Sequence, residues 1–338
     1  MNLKIKHILL ILIGFVVLCT PVRAQFEKKA QVGMKFLSNP VGAEAIGRGT
    51  AGINSTFNSN GIFWNPALPS LMNSNIDVSL NYQKWIADIS YNALAASVNA
   101  FNFGVVTLSG TIVNYGELYQ TIRSGEGYLE TGTFTPTAFT LGLGFSQKVS
   151  DRFSYGLNAK YVYQDLGSAW VSTGDSLNDP NFTKKMKKYD MGTWAIDIGT
   201  FYDFGYKGIT FAATLSNISR EQKYEDEDFP LPFSVNFGAT VSPIKFLVND
   251  LGDHDLIFMV ESHHPRDFGE QVKFGLEYNY MKTFYLRAGQ VTNQDERGFT
   301  AGVGFRKTIS SFPIRIDYAY QNGGIFGGLH YFTVAVSY

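Results

Sequence analysis

The chain has 338 residues, of which only 17% are charged and 15% aromatic, with 34 glycines and a formal net charge of -1. Glycine and aromatics at these levels are typical of many-stranded β proteins. The near-neutral balance gives no footprint for a nucleic-acid partner, and none is expected.

At the N-terminus, Lys4 and Lys6 precede an apolar run from Ile8 to Cys19 that only Gly14 interrupts, and Val22-Arg23-Ala24 follows. This order predicts a secretory signal peptide over 1–24, with Gln25 the first mature residue. A membrane anchor is the rival reading, but the run is too short to span comfortably. Cys19 is the single cysteine and would leave with the signal, so structural disulfides and thiolate metal sites are excluded. No cofactor is expected.

Residues 25–75 show no strand alternation. Asn39-Pro40 is a helix start, with asparagine as cap and proline at the first position, and Gly47 or Gly49 can end it. Asn65-Pro66-Ala67 is a second start that Pro69 holds to about one turn. Compact loops and single helical turns suit a hatch or plug inside a barrel; a periplasmic extension is the alternative.

From Ile76 onward the pattern changes. Ile76, Val78, Leu80 and Tyr82 alternate with Asp77, Ser79, Asn81 and Gln83. Phe153, Tyr155, Leu157, Ala159, Tyr161 and Tyr163 alternate with Ser154, Gly156, Asn158, Lys160, Val162 and Gln164. Side chains switch faces at each strand residue, so one face is apolar and the other polar. Strands are predicted near 76–83, 88–100, 103–115, 135–149, 152–165, 191–204, 208–217, 231–242, 254–263, 269–281, 283–291, 298–309, 313–321 and 329–338. About fourteen strands is an even number, as single-chain bacterial barrels require. Every second junction is short, as at Phe101-Asn102, Ser150-Asp151 and Met281-Lys282, with 243–253 the exception. The others are mostly long: 116–134, 166–190, 218–230, 292–297 and 322–328. The predicted fold is therefore all-β: a transmembrane antiparallel up-and-down barrel over 76–338 in the outer membrane, with both termini periplasmic.

The polar parity places Asp77, Asn81, Lys160, Asp197, Lys273, Glu277, Arg287, Arg306, Arg315 and Asp317 inside. Both signs are mixed, which predicts a lumen network centred on Asp197, Lys273, Glu277, Arg287, Arg315 and Asp317 rather than a selective pore. Glycines such as Gly289, Gly302 and Gly304 share that face and let another backbone approach. The last strand, with Phe332, Val334, Val336 and Tyr338 facing outward, must close the barrel.

In the long loops, Trp170, Phe182 and the basic run Lys184, Lys185, Lys187 and Lys188 are candidates for contact with lipopolysaccharide phosphates or a protein. Glu225-Asp226-Glu227-Asp228 lacks the spacing of a calcium loop and reads as solvated. His263-His264 with Glu261, and Asp253-His254-Asp255, are weak metal candidates, because adjacent strand residues face opposite sides. No nucleophile elbow or triad setting is present, so no enzyme is expected.

Gly42-Ala43-Glu44-Ala45-Ile46-Gly47-Arg48-Gly49 and Trp64-Asn65-Pro66-Ala67 together resemble the N-terminal hatch of FadL-like outer-membrane barrels. Trp85-Ile86-Ala87-Asp88-Ile89, Leu231-Pro232-Phe233 and Ile316-Asp317-Tyr318-Ala319-Tyr320 make the chain look like the PorV/PorQ family within that group. The resemblance implies fourteen strands and a hatch. It also implies a part in type IX secretion, in which outer loops bind a translocon or a secreted cargo protein. The alternative is a FadL-like transporter of hydrophobic small molecules.

Overall fold

The computed structural model describes residues 32–100, 103–124, 127–173, 183–224, 226–248, 252–294 and 298–338. The expected signal peptide, Phe182 and Glu225 lie outside them.

The alternation becomes strands wherever it was read. β1 (Ile76–Lys84), β2 (Ser90–Asn99), β3 (Val105–Asn114), β6 (Thr137–Lys148), β7 (Phe153–Thr173), β8 (Thr183–Asp203) and β9 (Thr210–Ile218) form one half of a ring. β12 (Ser234–Val241), β13 (His254–Pro265), β14 (Gln271–Tyr280), β15 (Phe284–Val291), β16 (Phe299–Ile309), β17 (Phe312–Asn322) and β18 (Gly328–Ser337) form the other. Among the described residues these strands close into one antiparallel barrel, each paired with its neighbours in chain order and β18 with β1. The closing seam runs from Asp77↔Ser337 to Lys84↔His330.

In the first strand burial alternates without a break: Leu80 is 57% exposed while Ser79 is fully buried. Leu141, Leu143, Leu157 and Trp194 continue the exposed apolar face on β6, β7 and β8. On the seam, Tyr82, Phe332 and Tyr318 form an outward row of rings 5.1–6.5 Å apart. Such an exterior is costly in water and favourable in hydrocarbon, and closure pairs every strand with two neighbours over most of the ring.

The loops depart from the expectation in one respect. Within 166–190, the described residues are not irregular: β7 and β8 run on past a bulge at Asp165 and pair from Ser168↔Lys188 to Thr173↔Thr183. The extension carries no apolar parity by which it could be read from the sequence. Within 116–134, β4 (Leu118–Ser124) pairs with β5 (Gly127–Phe134), and within 218–230, β10 (Gln222–Lys223) pairs with β11 (Asp228–Phe229).

Residues preceding β1 pack against the inward face right round the ring. Gly33 N–H donates to Pro230 O at the long-loop end, Ala43 N–H to Thr333 Oγ1, Gly49 N–H to Thr300 Oγ1 and Ser59 N–H to Asp77 Oδ1. Asn65 Nδ2 donates to Thr200 O, and Asn75 N–H reaches Tyr338 O at the short-turn end. The described chain thus starts among the long loops and descends through the lumen, whereas its last residue lies at the short-turn end. Asn39-Pro40 starts no helix: Asn39 follows a 3₁₀ turn, Lys35–Ser38, and its side chain bonds Gln83 of β1. The helical turn Ala43–Ile46 instead begins after Gly42, which has φ +92°, and stops at Gly47. Asn65 Oδ1 accepts from Ala67 N–H just ahead of the 3₁₀ turn Leu68–Leu71.

Candidate functional site

Arg48 sits between two glycines, and its side chain is among the most deeply buried of the described residues. Gly49 has φ +69°, and a Cβ there would meet Phe274 O at 2.4 Å. A Cβ at Gly289 would meet Gly49 N at 2.0 Å. Only glycine on both sides lets the segment's backbone lie against the wall, and this contact delivers Arg48 to β14 and β15.

Around it three cations face three anions. Arg48 Nη1 lies 3.2 Å from Glu277 and 3.5 Å from Glu44, and Nη2 donates to Thr56 Oγ1. Glu277 is paired directly across the ladder with Arg287, whose Nε donates to it at 2.6 Å while Nη1 reaches Asp317 at 2.6 Å. Arg306 approaches Glu44 at 3.0 Å. Gly304 makes room for this: a Cβ on it would stand 2.3 Å from Asp317 Oδ1. Burial alone would push the Glu44 carboxyl up, but Arg306 and Arg48 outweigh it and hold it well below the usual carboxylate range.

The six residues expected to form one lumen network fall into four groups. Glu277, Arg287 and Asp317 join Arg48, Glu44 and Arg306. Lys273 pairs with Glu261 at 2.6 Å, and Glu261 Oε2 also accepts from Gly52 N–H. Asp197 pairs with Lys160 at 2.8 Å and accepts from Asn217 N–H. Arg315 pairs with Asp77 at 2.9 Å, which accepts from Ser59 and Ser337 too. Strand parity gave the inward position of each but not every partner, because Arg48 and Glu44 stand on the aperiodic segment and Arg315 reaches Asp77 across the intervening β18. Arg48, Glu44 and Glu261 are the residues that reading missed as ion-pair partners. The one available sign was a charge flanked by glycines at Gly47-Arg48-Gly49.

Above this floor lies a chamber of about 380 Å³ at the long-loop end. Phe63 and Trp64 of the segment, with Phe268 of the β13–β14 loop, supply its aromatic lining. Trp64 spends its N–H on Val41 O, 2.8 Å away. The polar wall includes Asn217, Asn236, His263 and Gln294. Lys35, Lys160 and Lys273 also line the chamber, each with a carboxylate partner: Asp267, Asp197 and Glu261 respectively. At one side the wall itself is short. β8 pairs with β9 only from Asp203↔Thr210 up to a bulge at Ile196↔Ile218, and above that β8 has β7 alone as neighbour. Asp197, Ser216 and Asn217, at that break, line the chamber.

The other candidates are placed as follows. His263 bonds Asn236 on the inner face, while His264 is exposed on the outer face, so the two do not converge. Lys188 bonds Asp190 and lies 3.2 Å from Asp165 on the projecting hairpin, where Trp170 pairs with Met186, Lys185 with Val171, Lys184 with Ser172 and Lys187 with Ala169.

No protein-family model matches the chain, and no curated protein matches it in sequence. Its fold is similar to that of the Pseudomonas putida toluene transporter TodX (10% identity, TM-score 0.56), with 87% of this chain and 96% of that one covered. It is likewise similar to the Ralstonia pickettii toluene transporter TbuX (13%, TM-score 0.53, 88% and 97% covered). A Pseudomonas aeruginosa FadL homologue aligns over 89% of this chain and 98% of its own, at 11% identity and a TM-score of 0.53. The closed fourteen-strand barrel is therefore of the FadL-like type in fold.

Proposed function

We propose that the chain is a bacterial outer-membrane barrel, with residues 25–75 as its hatch and 76–338 as its wall, that admits small hydrophobic or amphipathic molecules from outside. The observation that carries this reading is the chamber. It opens among the long loops, is floored by Trp64 and Phe63, and reaches the break between β8 and β9. Its volume falls within the roughly 300–1,000 Å³ usual for ligand sites. The fold-level likeness to proteins described as toluene transporters supports the same substrate class. The ion-paired floor supports sideways departure through the wall break over passage straight down. Titration of the purified protein in mild detergent with toluene is expected to give saturable binding that Trp64→Lys abolishes. Cells carrying the protein are expected to take up toluene faster than cells lacking it. Absence of both effects overturns the reading.

The projecting β7–β8 hairpin favours a second reading, in which the barrel docks a protein partner outside, as a PorV/PorQ-like component of type IX secretion would. Purification from native membranes discriminates the two: a secretion translocon or cargo domain that co-purifies, and is lost when residues 168–188 are removed, supports docking.

A further inference from the structure

The structure assigns the chamber to neutral, hydroxyl-bearing single-ring aromatics in preference to bare hydrocarbons or anions. This rests on the uptake reading above and narrows its substrate class.

The argument starts from hydrogen-bonding capacity the protein leaves unused. Asn217 is only 6% exposed. Its Nδ2 donates to Pro232 O at 2.9 Å, which fixes the amide so that Oδ1 is the remaining acceptor, and Oδ1 has no partner among the described residues. Gln294 Nε2 donates to Gln271 Oε1 at 3.3 Å, and its Oε1 is buried with no partner among the described residues. His263 supplies a third acceptor. Asn236 Nδ2 donates to Thr214 Oγ1 at 2.8 Å, so its Oδ1 takes the proton of His263 Nδ1. The neutral ring then offers Nε2 as an acceptor. All three residues line the chamber. A buried acceptor left unmade is costly, and a ligand hydroxyl that satisfies it recovers that cost, whereas a hydrocarbon does not.

Charge removes the anions. The three lysines on the chamber are each matched by a carboxylate, so the lining carries no net positive charge from them to hold a carboxylate ligand. The lysines still have spare N–H groups for the lone pair of a neutral hydroxyl. The aromatic part has its own receptors in Trp64, whose N–H is already used, and in Phe63 and Phe268.

The test compares p-cresol, toluene and benzoate by calorimetric titration of the full-length protein in mild detergent. p-Cresol is expected to bind at least about tenfold more tightly than toluene, with benzoate weakest. Asn217→Gly keeps the left-handed backbone at φ +62° and removes the acceptor; Gln294→Leu removes the second acceptor from a loop. Each is expected to reduce the p-cresol preference over toluene severalfold. Heat-dependent mobility of the folded barrel on gels shows that both variants are assembled. Equal affinity for p-cresol and toluene, or a preference that both folded variants retain, overturns this inference and leaves the uptake reading standing. Failure of all three compounds to bind overturns both.

Discussion

Arg48 shows what a single side chain does in this lumen. Taking a guanidinium out of water is costly unless its partners are in place, and here Glu44 and Glu277 are themselves buried. Removing Arg48 therefore leaves two anions short of a partner. Arg48→Met is expected to cost about 3–5 kcal/mol, the range for breaking a buried pair from one side. The loss is expected as a lower denaturant midpoint and faster protease cleavage between residues 33 and 75. Gly289→Ala tests the contact that places Arg48. Its added carbon falls 2.0 Å from a backbone nitrogen, which cannot swing aside as a side-chain tip would, so the same protease sensitivity is expected without any change of charge. The close approach of another backbone at Gly289 was legible in the sequence, but Arg48's partners were not. Arg48 lies in a stretch without periodicity, so nothing in its spacing pointed to Glu277, 229 positions away.

Strands behave differently, because their period is two and lipid enforces it. Apart from the far ends of β7 and β8, each barrel strand coincides with an alternating segment of the sequence to within a few residues, since a slip of one position would turn a face such as Leu80/Tyr82 into the lumen and Asn81 into hydrocarbon. The rule stops where lipid stops. The upper halves of β7 and β8 stand clear of the ring, carry Lys184, Lys185, Lys187 and Lys188, and kept no apolar parity by which to be recognised. Two outcomes follow. Removing residues 168–188 and joining the ends with a short turn is expected to leave a folded barrel with unchanged heat-dependent gel mobility, since the ladder of those rungs joins only β7 to β8 and none of them pairs with another barrel strand. Combining Phe332→Ala with Tyr338→Ala strips rings that pack on Tyr82, Tyr318 and Phe312 along the seam, and lower outer-membrane levels are expected by immunoblot.

At the scale of the whole molecule, segment and wall are held together by bonds that tolerate most of the pH range. The Glu44 carboxyl titrates lower in the folded protein than its ordinary value of 4.5. Its contribution is therefore complete above that value and declines as pH falls through the folded one. Amide exchange of residues 43–62 is expected to be flat from pH 8 to about 5, after correction for intrinsic rates, and to accelerate only in stronger acid. A loss of protection between pH 8 and 6 would show that some other group governs docking.

The seam between β1 and β18 joins the beginning and the end of the ring, and the material inside it comes earlier in the chain than either. The wall is therefore complete only when β1 and β18, the two ends of the strand order, have met. Residues 33–75 lie inside that ring, bonded to its inward face at Thr333, Thr300 and Asp77, so closing the seam around them encloses them. The finished barrel is then a container whose contents and whose wall belong to one chain, held shut by a single ladder of pairs from Asp77↔Ser337 to Lys84↔His330.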